Sequence, residues 1–325
     1  MPYDPSFTVG EIVATTIQSR TRELADNVSN SNALLAKLSA KGNVKPVSGG
    51  DQIWQELMYA ENDTFVWYEG DDEIFDGTPS AAVIDTAIYD WKQCAVSVYA
   101  TGKEVNVQNT GKERMIDMFE GRISNAFKTM ANKVSASIYG DATDAKEIDG
   151  LQVQVAVDPT AVGAIVGTIP VDQTWWHNQT DGATVQLTSA NIQEFMQKMW
   201  LACTRGQDVP DLITADMLMY QYFWASLTDI QRISSTDKGV AGFKTLMFNT
   251  ADVIYDGDSG IEDGYMYFLN TDYLFWRPHA DVNMVADSKR VTYNKDSFVV
   301  PILFAGNLTC SNRSLQGILW QDTVA

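Results

Sequence analysis

The chain has 325 residues, of which 45% are hydrophobic, and it carries a formal net charge of −19. This length and apolar content suffice for a substantial core. The acidic balance argues against nucleic-acid binding through overall charge, because phosphate contacts need clustered Lys and Arg. No apolar run approaches the ~20 residues of a membrane span. The first residues lack the basic segment followed by an apolar segment that would predict a signal peptide.

The three cysteines, Cys94, Cys203 and Cys310, are far apart and show no paired spacing. An odd number of scattered cysteines is typical of free thiols in a reducing compartment. We therefore expect no disulfide framework.

Residues 1–48 have the character of an arm. Weak helical periodicity is followed by a polar Ser/Asn run, a short apolar helical turn at 33–38 and a glycine-rich loop. Such a segment buries little surface alone, so we expect it to be disordered or to dock onto something else.

Residues 51–91 predict a long two-stranded excursion. A strand at 51–59 leads to an aromatic strand core at 65–68, an acidic turn-rich tip at 69–77 and a returning strand at 83–98. An isolated hairpin is marginal in water, so this one should lie against a partner surface. The candidate contact residues are Trp54, Phe65, Trp67, Tyr68, Glu69, Asp71, Asp72, Glu73, Phe75 and Asp76. The alternative is that the aromatic residues join the chain's own core.

A long amphipathic helix is predicted at 111–139. Thr110 and Glu113 have the spacing of a capping box, and Gly140 is a residue that can turn left-handed and end the helix. One apolar stripe has spacings of three and four residues. Its members are Ile116, Phe119, Ile123, Phe127, Met130, Val134 and Ile138. The opposite face is polar, and Lys112, Glu120 and Lys128 on it are candidates for contacting a neighbouring molecule.

The rest of the chain predicts helices and strands in runs. The helices are predicted at 188–203 and 215–227, and the strands at 210–214, 243–248, 253–255, 265–269, 290–293, 298–303 and 314–319. Without regular strand–helix alternation, the fold class is α+β.

No catalytic constellation is evident. His177 and His279 lie in different regions without metal-ligand spacing, and neither a phosphate loop nor a dinucleotide fingerprint is present. We therefore predict no catalytic, cofactor or metal residues.

Residues 256–260 begin like a calcium loop. Gly260, however, stands where an oxygen ligand is needed, Ile261 where glycine is needed and Tyr267 where the bidentate Glu belongs. A tight turn is favoured, and the alternative of an acidic calcium-binding or enzymatic domain rests only on acidic clusters.

The order of these parts resembles the major capsid proteins of tailed bacteriophages, which have the Hong Kong 97-type fold. No single motif is specific, but their order covers nearly the whole chain. The residues that carry the resemblance are Ile148-Asp149-Gly150-Leu151, Trp175-Trp176-His177-Asn178, Pro210-Asp211-Leu212-Ile213, Gln231-Arg232, Gly242-Phe243, Val253-Ile254-Tyr255-Asp256 and Tyr267-Phe268-Leu269-Asn270.

The resemblance implies a division of the chain. Residues 1–48 would be the N-terminal arm, 49–92 the extended β-hairpin loop and 93–154 the peripheral domain with its spine helix at 111–139. Residues 155–280 would form the axial domain, and 281–325 would return to the peripheral domain.

The resemblance also implies a function. The chain would be a structural protein and not an enzyme, assembling as hexamers and pentamers into an icosahedral head around double-stranded DNA without sequence-specific contact. Its expected location is the virion, assembled in the bacterial host cytoplasm, with a portal, a separate scaffolding protein and a cement or decoration protein as partners, and no membrane. An encapsulin-like compartment with the same fold is the alternative.

One departure from the family concerns covalent cross-linking. Some members join subunits through a Lys–Asn isopeptide bond whose Lys lies in the extended loop, and residues 46–91 contain no Lys. We therefore predict no such bond through this loop.

Overall fold

The computed structural model describes residues 32–60, 65–71, 83–101, 103, 112–161, 163–183, 185–227, 246–256, 260–287, 290–291 and 295–321, with the backbone alone at 112–120. The arm before residue 32, the predicted capping box and the part of the acidic tip with Asp72, Glu73, Phe75 and Asp76 lie outside these residues. Within them, no helix combines the length and apolar character that a membrane crossing requires.

Helices and strands are numbered in chain order. The helices are α1 (Ala33–Lys41), α2 (Lys112–Tyr139), α3 (Leu151–Gln154), α4 (Ile192–Ala202) and α5 (Met217–Ser226). The strands are β1 (Ile53–Met58), β2 (Ile84–Tyr89), β3 (Lys92–Thr101), β4 (Gln179–Gly182), β5 (Leu212–Ala215), β6 (Leu246–Phe248), β7 (Ala251–Tyr255), β8 (Tyr265–Leu269), β9 (Leu274–Pro278), β10 (Val285–Ala286), β11 (Arg290–Val291), β12 (Ser297–Cys310) and β13 (Gly317–Trp320).

Strand β12 organises a sheet of five described strands. Strand β3 pairs along one side of it, and β11, β10 and β9 follow one another along the other side. The strand prediction of 298–303 was too short, because Gly306 and Asn307 interrupt the apolar pattern while pairing continues onto β9. Gly306 permits this close approach, since a Cβ there would lie 2.9 Å from the carbonyl oxygen of Arg277.

A second sheet has the order β4-β13-β8-β5-β7-β6 among the described residues. Helices α4 and α5 cover one of its faces, and the other face shares a core with α1, α2 and the five-stranded sheet. The predicted boundary at residue 280 does not coincide with a change of sheet. Strand β9 precedes the boundary but belongs to the five-stranded sheet, whereas β13 follows it and pairs with β8, because pairing between distant segments overrides position along the chain.

The predicted long helix is confirmed as α2, a helix of 28 residues. The described members of its stripe, Ile123 through Ile138, are buried against β3 and β12. Its end differs from the prediction, because Gly140 has no left-handed φ. The backbone of Gly140 instead lies so close to Gly150 that a Cβ on Gly150 would be 2.4 Å from the Gly140 carbonyl oxygen.

Helix α1 packs into the chain's own core. Leu34, Leu35 and Leu38 are buried there. Asn32 caps the helix by accepting a hydrogen bond from the Leu35 amide at 3.1 Å, and Gly42 ends it with a left-handed φ of 74°. Of the two outcomes expected for the arm, disorder or docking, residues 33–41 show docking, and the surface they dock onto is the chain's own core.

The hairpin of strands β1 and β2 is antiparallel, from Ile53 opposite Tyr89 to Met58 opposite Ile84. Two predictions about this region were wrong. The returning segment 83–98 is two strands, broken after Tyr89, that belong to different sheets. Residues 65–69 are not a strand, because aromatic β-propensity cannot form one without a pairing partner.

Other predicted elements match with shifted ends. Helix α4 begins at Ile192 and not at 188, because the Thr188 amide donates to the Asn191 side chain in a turn before it. The strand at 265–269 is confirmed as β8, and the last strand begins later than predicted, at Gly317. Strands β4, β9 and β10 had not been predicted.

Candidate assembly interface

The hairpin has two faces of different character. Ile53, Leu57 and Ala87 on one face are buried against residues 166–176 of the same chain. On the other face, cross-strand pairing places Trp54 opposite Ile88 and Met58 opposite Ile84. The exposed fractions of Trp54, Met58 and Ile84 are 68%, 80% and 66%. The hairpin therefore carries an apolar face that nothing in the described residues covers.

The aromatic segment, defined as residues 65–71, also has exposed apolar side chains. Phe65, Trp67 and Tyr68 are 70%, 91% and 60% exposed. The rings of Phe65 and Trp67 meet edge to face at 5.3 Å, and Glu69 and Asp71 add exposed carboxylates. The alternative that these aromatic residues join the chain's own core was wrong for the described ones.

Exposed apolar side chains are concentrated here. Seven of the sixteen large ones in the described part of the chain lie between Trp54 and Ile84. Contiguous exposed apolar surface is typical of protein–protein contact sites. The region around these residues is accordingly the strongest candidate for a surface that binds another molecule.

A polar network fixes the root of the hairpin where β2 passes into β3. Asn307 is buried and donates to the Asp90 carbonyl oxygen at 2.9 Å and to Asp149 at 2.6 Å. Lys92 pairs with Asp149 at 3.3 Å. Because Asp90 is held by β12, the chain leaves one sheet and enters the other at a fixed point.

Arg313 lies beside the same root and is 1% exposed. It donates to the Gln154 carbonyl oxygen at 2.7 Å and to Asn178 at 3.1 Å, and its guanidinium lies 5.9 Å from the Trp176 ring centroid. Burial lowers the pKa of Arg313. Sequence reasoning missed this residue, although its being the single charged residue between Asp296 and Asp322 was the available signal.

Tyr89 completes the root. It is buried, its hydroxyl lies 3.3 Å from both the carbonyl oxygen and the amide of Cys310, and burial raises its pKa. The hydroxyl therefore stays protonated and can donate and accept at once. The hairpin is attached to a rigid base while its outer surface remains free.

The other predicted contact residues lie on α2. Lys128 is exposed. The side chains of Lys112 and Glu120 lie outside the described residues, so their contact role stays a prediction.

The histidines and the aspartate singled out in the sequence form hydrogen bonds within the chain. His177 contacts the Val171 carbonyl oxygen at 2.7 Å, and His279 accepts from the Asp281 amide at 3.1 Å. Asp256 accepts from the Tyr139 hydroxyl at 2.7 Å and from the Ala33 amide at 2.9 Å, while residues 257–259 of the turn lie outside the description. Among the described residues, no three His, Cys, Asp or Glu side chains are grouped so that they could hold a metal ion.

Comparison with known proteins places the fold. Neither a protein-family model nor a curated protein sequence matches the chain. The capsid asymmetric unit of cyanophage A-1(L) matches with a TM-score of 0.65 at 16% identity, over 90% of this chain and 93% of that one.

Two further solved structures agree. The capsid of a native GTA particle matches with a TM-score of 0.58 at 10% identity, over 89% of this chain and 90% of that one. A structure from Mycobacterium phage Bobi matches with a TM-score of 0.52 at 12% identity, over 88% and 91%. The predicted α+β, Hong Kong 97-like capsid fold is thereby confirmed.

Proposed function

We propose that this chain is the major capsid protein of a tailed phage, which self-assembles into an icosahedral head shell around double-stranded DNA. The observation that carries the proposal is the match to the cyanophage capsid subunit over nine-tenths of both chains. The uncovered apolar face of the hairpin supports it, because such a face gains stability only when another copy covers it.

The proposed parts follow the sheets. The hairpin region, residues 49–92, is the extended loop that reaches a neighbouring subunit. The five-stranded sheet with α2 forms the peripheral domain, α2 being its spine helix. The six-stranded sheet with α4 and α5 forms the axial domain that meets its copies in hexamers and pentamers.

The proposed role is structural and not enzymatic. Its partners are other copies of the chain, a portal, a separate scaffolding protein, a cement or decoration protein and the packaged DNA. The net charge of −19 supports packaging without tight binding, since carboxylates repel phosphate. We place the protein in the virion, after assembly in the host cytoplasm.

Electron microscopy of the purified protein tests the proposal. Closed shells several hundred ångströms across are expected, and a stable monomer under all assembly conditions would contradict it. Nuclease-protected DNA in particles isolated from the producing cells distinguishes a phage head from an encapsulin-like compartment, which would contain cargo protein. The solved neighbours, which include phage and GTA capsids, favour the head.

The shell is proposed to be held by non-covalent contacts. Denaturing electrophoresis of assembled particles should give a single band near 36.0 kDa. A ladder of heavier bands would show a covalent link that the loop, without Lys at 46–91, does not supply.

A further inference from the structure

A groove separates the C-terminal half of α2 from the first half of β3. It holds a cavity of about 330 Å³, at the lower end of the range for ligand pockets. Its walls are mostly apolar and include Cys94, Val96, Met130, Val134 and Phe304. It therefore suits one large apolar side chain.

The rim of the groove carries cationic side chains. Lys133 on α2 and Lys146 after it are exposed and border the cavity, together with the carboxylate of Glu147. Lys92 also borders it but is paired with Asp149 at 3.3 Å. The charges of Lys133 and Lys146 outweigh that of Glu147, so the rim is locally positive although the chain is strongly acidic overall.

The outer edge of β3 borders the same groove. Strand β3 pairs with β12 alone among the described strands. The carbonyl oxygen of Tyr99 accepts a hydrogen bond from the Arg122 side chain at 2.7 Å, so it faces away from β12. Because backbone groups alternate sides along a strand, those of Gln93, Ala95 and Ser97 face the same open edge. An extended segment could add there as a further strand.

We propose that this groove receives the aromatic segment of a second copy of the chain, with Trp67 in the cavity. The inference rests on the proposed function and names the surface that the extended loop meets. Trp67 is 91% exposed, and residues 65–69 do not form a strand. In an added strand, Phe65 and Trp67 would share the face directed at α2.

Charge favours the same occupant. The aromatic segment contains Glu69 and Asp71 and no cation, which complements Lys133 and Lys146. In this structure, no residue of the protomer's own aromatic segment lines the groove. The occupant is therefore a neighbour's segment.

Thiol labelling in the wild-type chain tests whether the groove is filled. Cys94 is exposed, whereas Cys203 and Cys310 are buried, so maleimide should modify Cys94 selectively in the free subunit. The groove walls around Cys94 partly desolvate its accessible thiol and raise the pKa to about 11, so free and assembled protein are compared at one pH. We expect assembly to slow labelling by more than about tenfold, because thiol reactivity requires access. Equal rates in the two states would overturn the proposal.

Disulfide capture tests which segment fills the groove. Assembled Trp67→Cys protein should form a dimer band through Cys94 under mild oxidation, and the band should vanish in Trp67→Cys/Cys94→Ser. Trp54→Cys is the matched control, an exposed Trp near the hairpin root that should not reach Cys94. If Trp67→Cys fails to assemble, Phe65→Cys supplies a second position on the same face.

The outcomes separate the two proposals. Absence of wild-type shells contradicts the proposed function. Shells in which Cys94 is protected but neither Trp67→Cys nor Phe65→Cys cross-links would mean that another part of the shell, or a decoration protein, fills the groove, and would overturn the inference while leaving the function intact.

Discussion

Helix α1 and the β1–β2 hairpin both extend from the two sheets, but α1 buries its large apolar residues within the chain, whereas the hairpin buries only one of its two faces. Leu34 and Leu38 of α1 are fully buried, whereas Trp54 and Met58 of the hairpin are mostly exposed. Ion pairs strengthen the docking of α1, with Lys37 2.6 Å from Asp252 and Lys41 3.0 Å from Asp211. Hydrophobic patterning alone does not distinguish the two excursions, because both contain apolar residues at regular spacing.

The difference teaches where the stability of each region originates. Residues of α1 contribute to the folding of the single subunit. The hairpin's outer face and the aromatic segment contribute nothing until a partner covers them. Substitutions in the two regions should therefore separate subunit stability from assembly.

The largest effect is expected in the core that α1 shares with α2. Phe127 is 2% exposed in this core, so Phe127→Asp buries an unpaired charge at a cost of several kcal/mol, comparable with the ~5–15 kcal/mol stability of a domain. We expect no soluble subunit, measured by expression and circular dichroism. Phe127→Leu should remain soluble, and a folded Asp variant would contradict the packing.

A smaller loss of subunit stability is expected from α1 itself. Leu34→Ala removes a fully buried side chain and should cost about 2–5 kcal/mol in the free energy of unfolding. Urea denaturation of the unassembled subunit measures this. Leu201→Ala is the matched control, because Leu201 is 58% exposed and should change the value by less than about 0.5 kcal/mol. Equal effects would show that α1 does not pack as described.

The aromatic segment should behave in the opposite way. Trp67→Ala should change subunit unfolding by less than about 0.5 kcal/mol but reduce the yield of shells measured by sedimentation. Trp176→Ala is the comparison, since Trp176 is 3% exposed and its loss should destabilise the subunit by about 3–5 kcal/mol. A normal shell yield with Trp67→Ala would show that the aromatic segment is not part of the interface.

The smallest effect is expected from Lys128 on the exposed face of α2. Lys128→Glu should leave the subunit folded, with a change below about 0.5 kcal/mol, and should raise the protein concentration needed for assembly. Lys128→Arg keeps the charge and serves as the control. Identical assembly of the two variants would mean that this face meets no acidic neighbour.

Sequence reasoning succeeded where the pattern is local. The stripe from Ile123 to Ile138 has the spacing of a helix face, and the apolar run of β8 is typical of a buried strand. Both α2 and β8 were therefore predicted closely. The Trp67 region was singled out because its aromatic residues lie beside an acidic, turn-rich stretch; the described ones are exposed, and their contact role stays a prediction. Its expected strand was wrong, since strand formation depends on a partner that the pattern does not name.

The failures concern contacts between distant residues. The break after Tyr89 is enforced by Asn307, more than two hundred positions away, and no Gly or Pro marks it in the sequence. The docking of α1 depends on Asp211 and Asp252, which nothing near α1 in the sequence identifies. The sheets to which β9 and β13 belong are likewise decided by pairing with strands that are not adjacent in the sequence.

Hydrogen exchange of the free subunit and of assembled shells tests the comparison most directly. In the free subunit, amides of α1 should be protected and those of residues 65–69 should exchange rapidly, because they are not part of a sheet. In the shell, residues 65–69 should become strongly protected while α1 changes little. Rapid exchange of residues 65–69 in intact shells would contradict the claim that another copy completes this surface.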